Sequence, residues 1–412
     1  MERKKLLILG GSFYLLPLIE KAHELGVYVI TADYLPDNAA HKYADEYHNV
    51  SVIDKEAVLN LAKELKIDGV TAFVNDIAAT TAAYVAEKLG LNFQCPYESA
   101  VILQDKGKFR KFLSDNGFNS PHSKRYDDVN APMNDIDYFD WPVIVKPTDS
   151  CGSRGVTKVE KPEDLPSAIK EAVDNCRNGA FSLGNFVLFI IEDFISFKGC
   201  HSSADSFTID GKLVFNVYSD QLFDVNSENP YAPTQIIWPS TMEKKYQDEL
   251  TSELQRLMTL LHMKHGIYNI ETCVGSNGKP YIMEVSPRGG GCRIAQIQKM
   301  AYGIDLIENE IRQAVDMPIN PIDKVECDGV WCEIVLHANE GQYGTFVRYE
   351  IDEKIKNKYV KMIDFQKKPG DKIEPFSGAG LSFGNMFVRC DDRQTLNKLL
   401  ADMPNWFKII TE

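Results

Sequence analysis

The sequence predicts a protein of mixed α/β and α+β class with more than one domain. At 412 residues the chain is too long for one compact core and suits two or three domains. Its first part alternates short apolar segments with amphipathic ones, which is typical of a doubly wound α/β unit. After residue 316 most segments have strand character, so we expect the chain to end in a strand-rich domain.

The composition is that of an ordinary globular protein, with 44% hydrophobic and 25% charged residues. A net charge of −14 argues against nucleic acid or an anionic membrane as the main partner. No apolar stretch approaches the roughly 20 residues that a membrane span requires, and the apolar run at 6–9 is too short for a signal peptide. Nine cysteines without a Cys-x-x-Cys pair predict neither a disulfide framework nor a zinc site. We therefore expect a cytoplasmic protein.

The N-terminal unit follows from hydrophobic periodicity. Strands are predicted at 5–9, 27–31 and 69–73, and helices at 15–25, 55–65 and 78–89. The turn at 10–12, with Asp33 after the second strand, raises the alternative of a dinucleotide site. Phe13 and Leu15 stand where that motif needs glycines, so an ordinary βα turn is favoured.

A helix at 106–116 precedes a second unit, which has the pattern of a small α+β lid. It comprises strands at 142–147 and 186–191, a glycine-containing loop at 148–155 and a helix at 162–176. Asparagines and prolines at 222–240 predict a long loop before a helix at 243–261. The clearest later elements are strands at 331–336, 344–351 and 384–390 and a helix at 393–403.

Two carboxylates thirteen residues apart, Glu271 and Glu284, carry the most information about function. They lie on predicted strands at 268–274 and 280–285, with a hairpin turn signal at 275–278 between them. Antiparallel pairing would bring both carboxylates together, as a magnesium ion on a nucleotide requires. Arg288 could then neutralise a transferring phosphoryl oxygen. Two solvated charges on an exposed hairpin would give the same pattern.

A second group of residues suits phosphate. Lys146 ends an apolar strand and precedes the loop 148–155, whose small residues let backbone N–H groups approach phosphate oxygens. A surface lysine before a turn is the alternative. Lys106 lies among other basic residues at a helix start, and a solvated helix end would explain it equally well.

Three further residues have both a functional and a structural interpretation. Glu192, at the end of a buried strand, could accept a hydrogen bond from an adenine amino group or be a strand-end charge. His201 could bind a ribose hydroxyl or a loop carbonyl. Arg293 could bind a substrate carboxylate with both guanidinium branches or form a surface salt bridge.

Taken in order, these residues resemble the ATP-grasp superfamily, specifically its carboxylate–amine ligase and biotin-carboxylase-like branch. The resemblance covers roughly residues 6–316, and a weaker similarity is found at 384–392. It implies a Rossmann-like domain at 1–103 and a two-lobed ATP-grasp domain at 104–316, with its lid lobe at about 120–192. A strand-rich C-terminal domain would then occupy 317–412.

The resemblance also assigns roles to individual residues. The phosphate and nucleotide contacts that it implies are Lys106, Lys146, the mobile-loop residues Cys151, Gly152, Ser153 and Gly155, the adenine hinge Glu192 and Ile195, and His201 at the ribose. The metal ligands that it implies are Glu271, Glu284 and Ser286, and Arg288 would contact the reacting phosphate. Apart from the resemblance, Arg288 and Arg293 could together clamp a substrate carboxylate. Two departures matter, because Ser286 stands where asparagine is usual and His201 where glutamate is frequent.

The function that this resemblance implies is an ATP-dependent ligase that joins a carboxylate to an amine through an acyl phosphate. Its cofactors would be ATP and Mg²⁺, with two ions expected and Mn²⁺ as an alternative. Small-molecule carboxylate and amine substrates are expected, with catalysis resting on Lys146 and Arg288. A homodimer is consistent with the family, although the sequence carries no independent sign of one.

The sequence is also compatible with three other functions. A bicarbonate-using ATP-grasp carboxylase shares all the nucleotide-binding residues named above. A purine-pathway ligase is a second variant. A non-catalytic nucleotide-binding protein that keeps the fold is a third. The presence of the lysines and carboxylates named above argues against it.

Overall fold

The computed structural model describes residues 3–148, 150, 154–176, 189–224, 229–338, 341–376, 378 and 381–412. Its N-terminal unit contains the strands β1 (Lys5–Leu9), β2 (Tyr28–Ala32), β3 (Glu46–His48) and β4 (Gly69–Thr71) and the helices α1 (Leu16–Glu24), α2 (Lys55–Leu65) and α3 (Asp76–Leu89). The strands are parallel and lie in the order β3-β2-β1-β4. The predicted doubly wound α/β unit is confirmed.

The sheet is covered on both faces, which explains why β1 is a continuous apolar run. Leu7 and Leu9 belong to one hydrophobic core, and Leu6 and Ile8 to another. The turn after β1 requires glycine at its first position. Gly10 has a φ of 123°, and a Cβ there would lie 2.8 Å from Nδ2 of Asn75. The chain then passes through a 3₁₀ turn into α1, as an ordinary βα connection does.

A second, antiparallel sheet lies in the segment that is predicted to be a lid. The elements that lead into it and build it are α4 (Tyr97–Gln104), α5 (Lys106–Asp115), β5 (Ser123–Tyr126), β6 (Val143–Pro147), β7 (Thr157–Val159), α6 (Leu165–Asp174) and β8 (Phe189–Asp193). The strand order is β5-β8-β6-β7. Side chains of β6 and β8 share a small core with α6. The first three residues of the strand predicted at 186–191 lie outside the described residues.

A third sheet lies at the centre of the molecule. The elements of this region are β9 (Ser202–Ile209), β10 (Lys212–Phe215), β11 (Asp220–Phe223), β12 (Pro233–Trp238), α7 (Lys244–Leu260), β13 (Gly266–Val274), β14 (Pro280–Ser286), α8 (Ile294–Tyr302) and α9 (Leu306–Ala314). The strands β10, β9, β13 and β14 form an antiparallel sheet in that order. Helix α9 contacts β13 of this sheet and β4 of the N-terminal sheet, and so joins the two.

The prediction of a long loop at 222–240 is wrong. Strand β12 occupies 233–238 and pairs with β11 on one side. The prolines that suggested a loop lie at its ends, because Pro233 is the first residue of the strand and Pro239 follows its last, and both positions tolerate proline. Residues 225–228 lie outside the described part of this segment.

The C-terminal part is strand-rich, as expected. Its elements are β15 (Val330–Leu336), β16 (Gly344–Ile351), α10 (Glu353–Tyr359), β17 (Val360–Phe365), β18 (Lys372–Ile373), β19 (Gly384–Cys390), α11 (Arg393–Ala401), α12 (Met403–Trp406) and β20 (Phe407–Thr411). One sheet has the order β11-β12-β15-β19-β17, and another has the order β18-β16-β20. The first of these sheets joins strands from both sides of residue 316. The domain boundaries at 103 and 316 therefore stay predictions.

None of the helices in the described part of the chain combines the length and apolar character that crossing a bilayer requires.

Glu310 of α9 connects the N-terminal unit to the central sheet. Its carboxylate is fully buried and accepts hydrogen bonds from Thr71 (2.9 Å), Gln94 (2.8 Å), the backbone N of Ile267 (3.4 Å) and Gln313 (3.3 Å). Burial raises the pKa of Glu310 to about 7, and these donors oppose the increase without cancelling it.

We expect this carboxylate to make stability depend on pH. Its folded-state pKa of about 7 lies above the ordinary value of 4.5, so its contribution is complete below pH 4.5 and is lost as the pH rises through 7. The loss amounts to about 3 kcal/mol. Urea unfolding of the wild type and of Glu310→Gln over this pH range isolates the effect, because glutamine does not ionise. Parallel pH profiles for the two proteins would contradict the assignment.

Candidate active site

The hairpin predicted around the two carboxylates is present. Strands β13 and β14 are antiparallel, and Glu271 lies directly opposite Glu284 in the register. The turn closes with Gly278 at a φ of 74°, a conformation that glycine adopts without strain. A β-bulge follows Glu271, and bulges frequently re-aim a side chain next to a functional site.

The N-terminal unit adds a third acidic group, Asp76, to this pair. Oγ of Ser286 donates to Oδ1 of Asp76 at 3.0 Å and to Oε1 of Glu284 at 3.3 Å. Burial, then Glu284 and Asp76, raise the pKa of Glu271 to about 7, while Arg288 and Lys106 oppose the increase. A divalent cation would offset this crowding of negative charge, and its preferred ligands are carboxylate oxygens. The acidic residues present therefore fit Mg²⁺.

A buried ion-pair network lies on the lid side of the site. Oε1 of Glu192 accepts from Nζ of Lys146 at 2.5 Å, and Oε2 accepts from Nε of Arg110 at 2.9 Å. Arg110 also donates to the carbonyl of Met283 at 2.9 Å, which links the lid to β14. Burial opposes ionisation of Glu192, but the two cations outweigh it and lower its pKa to about 2. Glu192 therefore holds two cations in this structure, and an adenine contact by its carboxylate stays a prediction.

The second predicted lysine lies in the same place. Asp105 caps helix α5 by accepting from the backbone N of Lys108, and Lys106 is the first residue of the helix. Nζ of Lys106 donates to the backbone oxygen of Ser150 at 2.7 Å. One pocket is lined by Lys106, Lys146 and Arg110 together with Asp76 and Glu284. The pocket thus gathers cations and carboxylates from distant parts of the sequence.

The predicted phosphate-covering loop is described only in part. Cys151, Gly152 and Ser153 lie outside the described residues. Gly155 has a φ of 67°, and a Cβ there would lie 2.7 Å from Cβ of Asn175, so packing against the end of α6 also requires glycine. A phosphate contact by this loop stays a prediction.

The predicted adenine and ribose contacts lie around the exit of β8. Ile195 is partly buried just beyond that strand. The ring of His201 packs edge-on against Phe197 and Phe223, at centroid distances of 4.3 and 5.8 Å. Burial lowers the pKa of His201 to about 4, so the ring is neutral. Their contacts with a nucleotide stay predictions.

The two arginines after Glu284 already have acidic partners. Nε of Arg288 donates to Asp76 at 2.7 Å. Arg293 donates to Asp364 of β17 at 2.7 Å and stacks over the ring of Phe13 at 4.5 Å. Asp364 of the C-terminal sheet thus holds the guanidinium of Arg293 in place. A contact between Arg293 and a substrate carboxylate stays a prediction.

Comparison with known proteins agrees with this geometry. Residues 139–296 match the family model described as an ATP-grasp domain. This match covers Lys146, Glu192 and the Glu271–Glu284 hairpin. The segment 139–296 is therefore similar to an ATP-grasp domain.

Individual proteins that resemble the chain cover nearly its whole length. The formate-dependent phosphoribosylglycinamide formyltransferase of Prochlorococcus marinus (strain MIT 9515) is 22% identical over 99% of this chain and 98% of its own. An L-amino acid ligase from Bacillus licheniformis has a TM-score of 0.83 at 22% identity, with full coverage of both chains. The biotin carboxylase domain of the 2-oxoglutarate carboxylase of Hydrogenobacter thermophilus, solved with MgADP and bicarbonate, has a TM-score of 0.76 at 16% identity and covers 100% of this chain and 91% of its own. These likenesses confirm the ATP-grasp fold.

Sequence reasoning missed two residues of this candidate site. Asp76 is the first residue of α3 and lies five residues beyond the carboxyl end of β4, where parallel sheets place functional groups. Arg110 follows Lys106 by four residues, so both project from one face of α5. Both signals were present in the sequence, but each depends on knowing which segment packs against the hairpin.

Proposed function

We propose that this chain is an ATP-dependent carboxylate–amine ligase that forms an amide through an acyl phosphate. The observation that supports this most is the pocket in which Lys106 and Lys146 face Glu284, with Glu271 directly across the hairpin. Such an arrangement suits a magnesium-bound triphosphate, because cations and carboxylate-held metal together neutralise its charge.

Each residue has a defined task in this proposal. Lys106 and Lys146 bind phosphate oxygens, and Glu271 and Glu284 hold Mg²⁺, with Ser286 as a further oxygen donor. When bound, Mg²⁺ neutralises charge on the phosphates and orients them. Two ions are proposed, and the second is held more weakly because serine replaces asparagine. Arg288 stabilises the negative charge that develops on the transferred phosphoryl group.

The reaction has two steps. An oxygen of the substrate carboxylate attacks the γ-phosphorus of ATP, and the bond to the β-phosphate bridging oxygen breaks, which gives an acyl phosphate and ADP. The amine nitrogen then attacks the acyl carbon and loses a proton, and inorganic phosphate leaves as the amide forms. The protein's contribution is mainly to position both substrates and to exclude water that would hydrolyse the acyl phosphate.

A substrate screen tests the proposal. We expect ADP release from the wild type only when a carboxylate and an amine are both supplied, with phosphate and amide in equal amounts. ADP release with bicarbonate alone would point instead to a carboxylase. ATP binding without ADP release from any pair would contradict the proposal and favour a non-catalytic nucleotide-binding protein.

A further inference from the structure

Two fully buried carboxylates lie beside the proposed reaction centre without a role in it. Asp205 lies on β9 and Glu333 on β15, and both are 0% exposed. Oδ1 of Asp205 accepts from the backbone N of Gly290 at 2.7 Å and from Nδ2 of Asn269 at 3.0 Å. Oε1 of Glu333 accepts from Nδ2 of Asn385 at 2.7 Å. Each carboxylate is thus held in place through one oxygen.

The other oxygen of each group has no donor. Among the atoms of the described residues, Oδ2 of Asp205, Oε2 of Glu333 and Oδ1 of Asn385 are buried without a hydrogen-bond partner. Oε1 of Gln298 is a fourth such atom, and Nε2 of the same residue donates to the backbone oxygen of Asp205 at 3.1 Å. The amide of Asn385 cannot be turned round without losing its bond to Glu333. All four atoms are acceptors when both carboxyl groups are ionised, so the cluster calls for a proton, another donor or a cation.

The neighbouring side chains do not supply enough positive charge to offset the burial of these two carboxyl groups. Burial, and then the field of Asp205, raise the pKa of Glu333 well above its usual range, and burial raises that of Asp205 to about 6. Arg288 lowers the pKa of Asp205 and Arg293 lowers that of Glu333, but neither arginine cancels the effect of burial. Each guanidinium is ion-paired elsewhere, Arg288 with Asp76 and Arg293 with Asp364. A buried anion that lacks a paired cation is costly, and this cost is the reason that both pKa values are raised. A cationic ligand would offset the cost and would therefore be bound strongly here.

The cluster also has the right position for a substrate. Gly290, which bonds to Asp205, follows Arg288 by two residues. On the other side, Asn385 is hydrogen-bonded to the side chain of Cys292, which is only partly buried. The cluster therefore adjoins both the backbone segment that carries Arg288 and the side chain of Cys292.

We propose that Asp205, Glu333 and Asn385 bind the ammonium group of the amine substrate. This inference rests on the proposed ligase function and makes it more specific. An ammonium group offers three N–H donors and one positive charge, which match three acceptor oxygens and an acidic site. The amine substrate is accordingly a cationic primary amine, such as an amino acid, and its nitrogen is held next to Arg288.

The test compares a cationic with a neutral nucleophile. Hydroxylamine is uncharged near neutral pH and intercepts the acyl phosphate as a hydroxamate, so it does not require an ammonium site. Methylammonium should inhibit hydroxamate formation by the wild type. In Glu333→Gln we expect its inhibition constant to rise by roughly 30-fold or more, because the variant lacks one of the two carboxylates proposed to bind the ammonium group. An unchanged inhibition constant would overturn the inference.

Controls separate this effect from a loss of folding and from a metal site. Glu310→Gln is the matched variant, because Glu310 is equally buried but both of its oxygens have donors, and it should leave methylammonium inhibition unchanged. If Glu333→Gln does not fold, Asp205→Asn provides the same test. In the wild type, methylammonium should inhibit at least about tenfold more strongly than methanol, its neutral counterpart. Equal inhibition by K⁺ or Na⁺ would identify a buried metal ion and overturn the inference.

The outcomes also distinguish this inference from the proposed function. If the wild type forms no hydroxamate with any carboxylate, the ligase proposal fails. If hydroxamate forms but methylammonium does not compete, the ligase proposal stands and the ammonium site fails.

Discussion

Replacing Glu284 with glutamine is expected to reduce substrate-dependent ADP formation by about a thousandfold or more. The substitution keeps the shape of the side chain but removes one of the two carboxylates that face each other across the hairpin. Loss of a metal ligand removes several kcal/mol of charge stabilisation at the transferring phosphoryl group, and each 1.36 kcal/mol changes the rate about tenfold. The measurement is ADP release at saturating ATP over a range of Mg²⁺ concentrations.

Glu249→Gln is the control for this experiment, because Glu249 is an exposed glutamate on α7. It should retain wild-type activity. Restoration of full Glu284→Gln activity by high Mg²⁺ would limit the role of Glu284 to metal affinity. Wild-type turnover of Glu284→Gln at low Mg²⁺ would remove the hairpin from the proposed active site altogether.

The hairpin was the most predictable part of the site because its information is local. Alternating strand residues and a glycine turn fix the register, and the register alone places Glu271 opposite Glu284. The pattern could not reveal Asp76, because its approach to Ser286 depends on how the N-terminal unit packs against the central sheet. Long-range packing is not encoded in any single segment's periodicity.

The same reason explains where the predictions about single side chains fell short. The nucleotide contact of Glu192, at the end of β8, stays a prediction, and its observed partners, Lys146 and Arg110, come from β6 and α5. The sequence offered Arg293 either a substrate carboxylate or a surface salt bridge, and its observed partner, Asp364, lies on a strand 71 residues away. The prolines around β12 predict a loop because the pairing of this strand with β11 and β15 cannot be read from its own sequence.

The ion-pair network gives the second large effect. We expect Glu192→Gln to lower the free energy of unfolding by about 3–5 kcal/mol, because it leaves two cations, Lys146 and Arg110, without their shared anion. The side chain of Arg110 is 3% exposed and that of Lys146 13% exposed, so water cannot replace the carboxylate fully. The lid and α5 would lose their charged connection, and urea unfolding measures the change.

A surface ion pair on the same lid provides the matched control. Glu160 pairs with Lys158 at 2.7 Å, but its side chain is 67% exposed, so Glu160→Gln should change stability little. In the proposed function the phosphates of ATP lie against Lys146 and so supply negative charge in place of the Glu192 carboxylate. ATP should therefore raise the unfolding temperature of Glu192→Gln more than it raises that of the wild type. Equal stabilisation of both proteins by ATP would show that the phosphates do not reach Lys146 and Arg110, and the assignment of this pocket to the nucleotide would then be wrong.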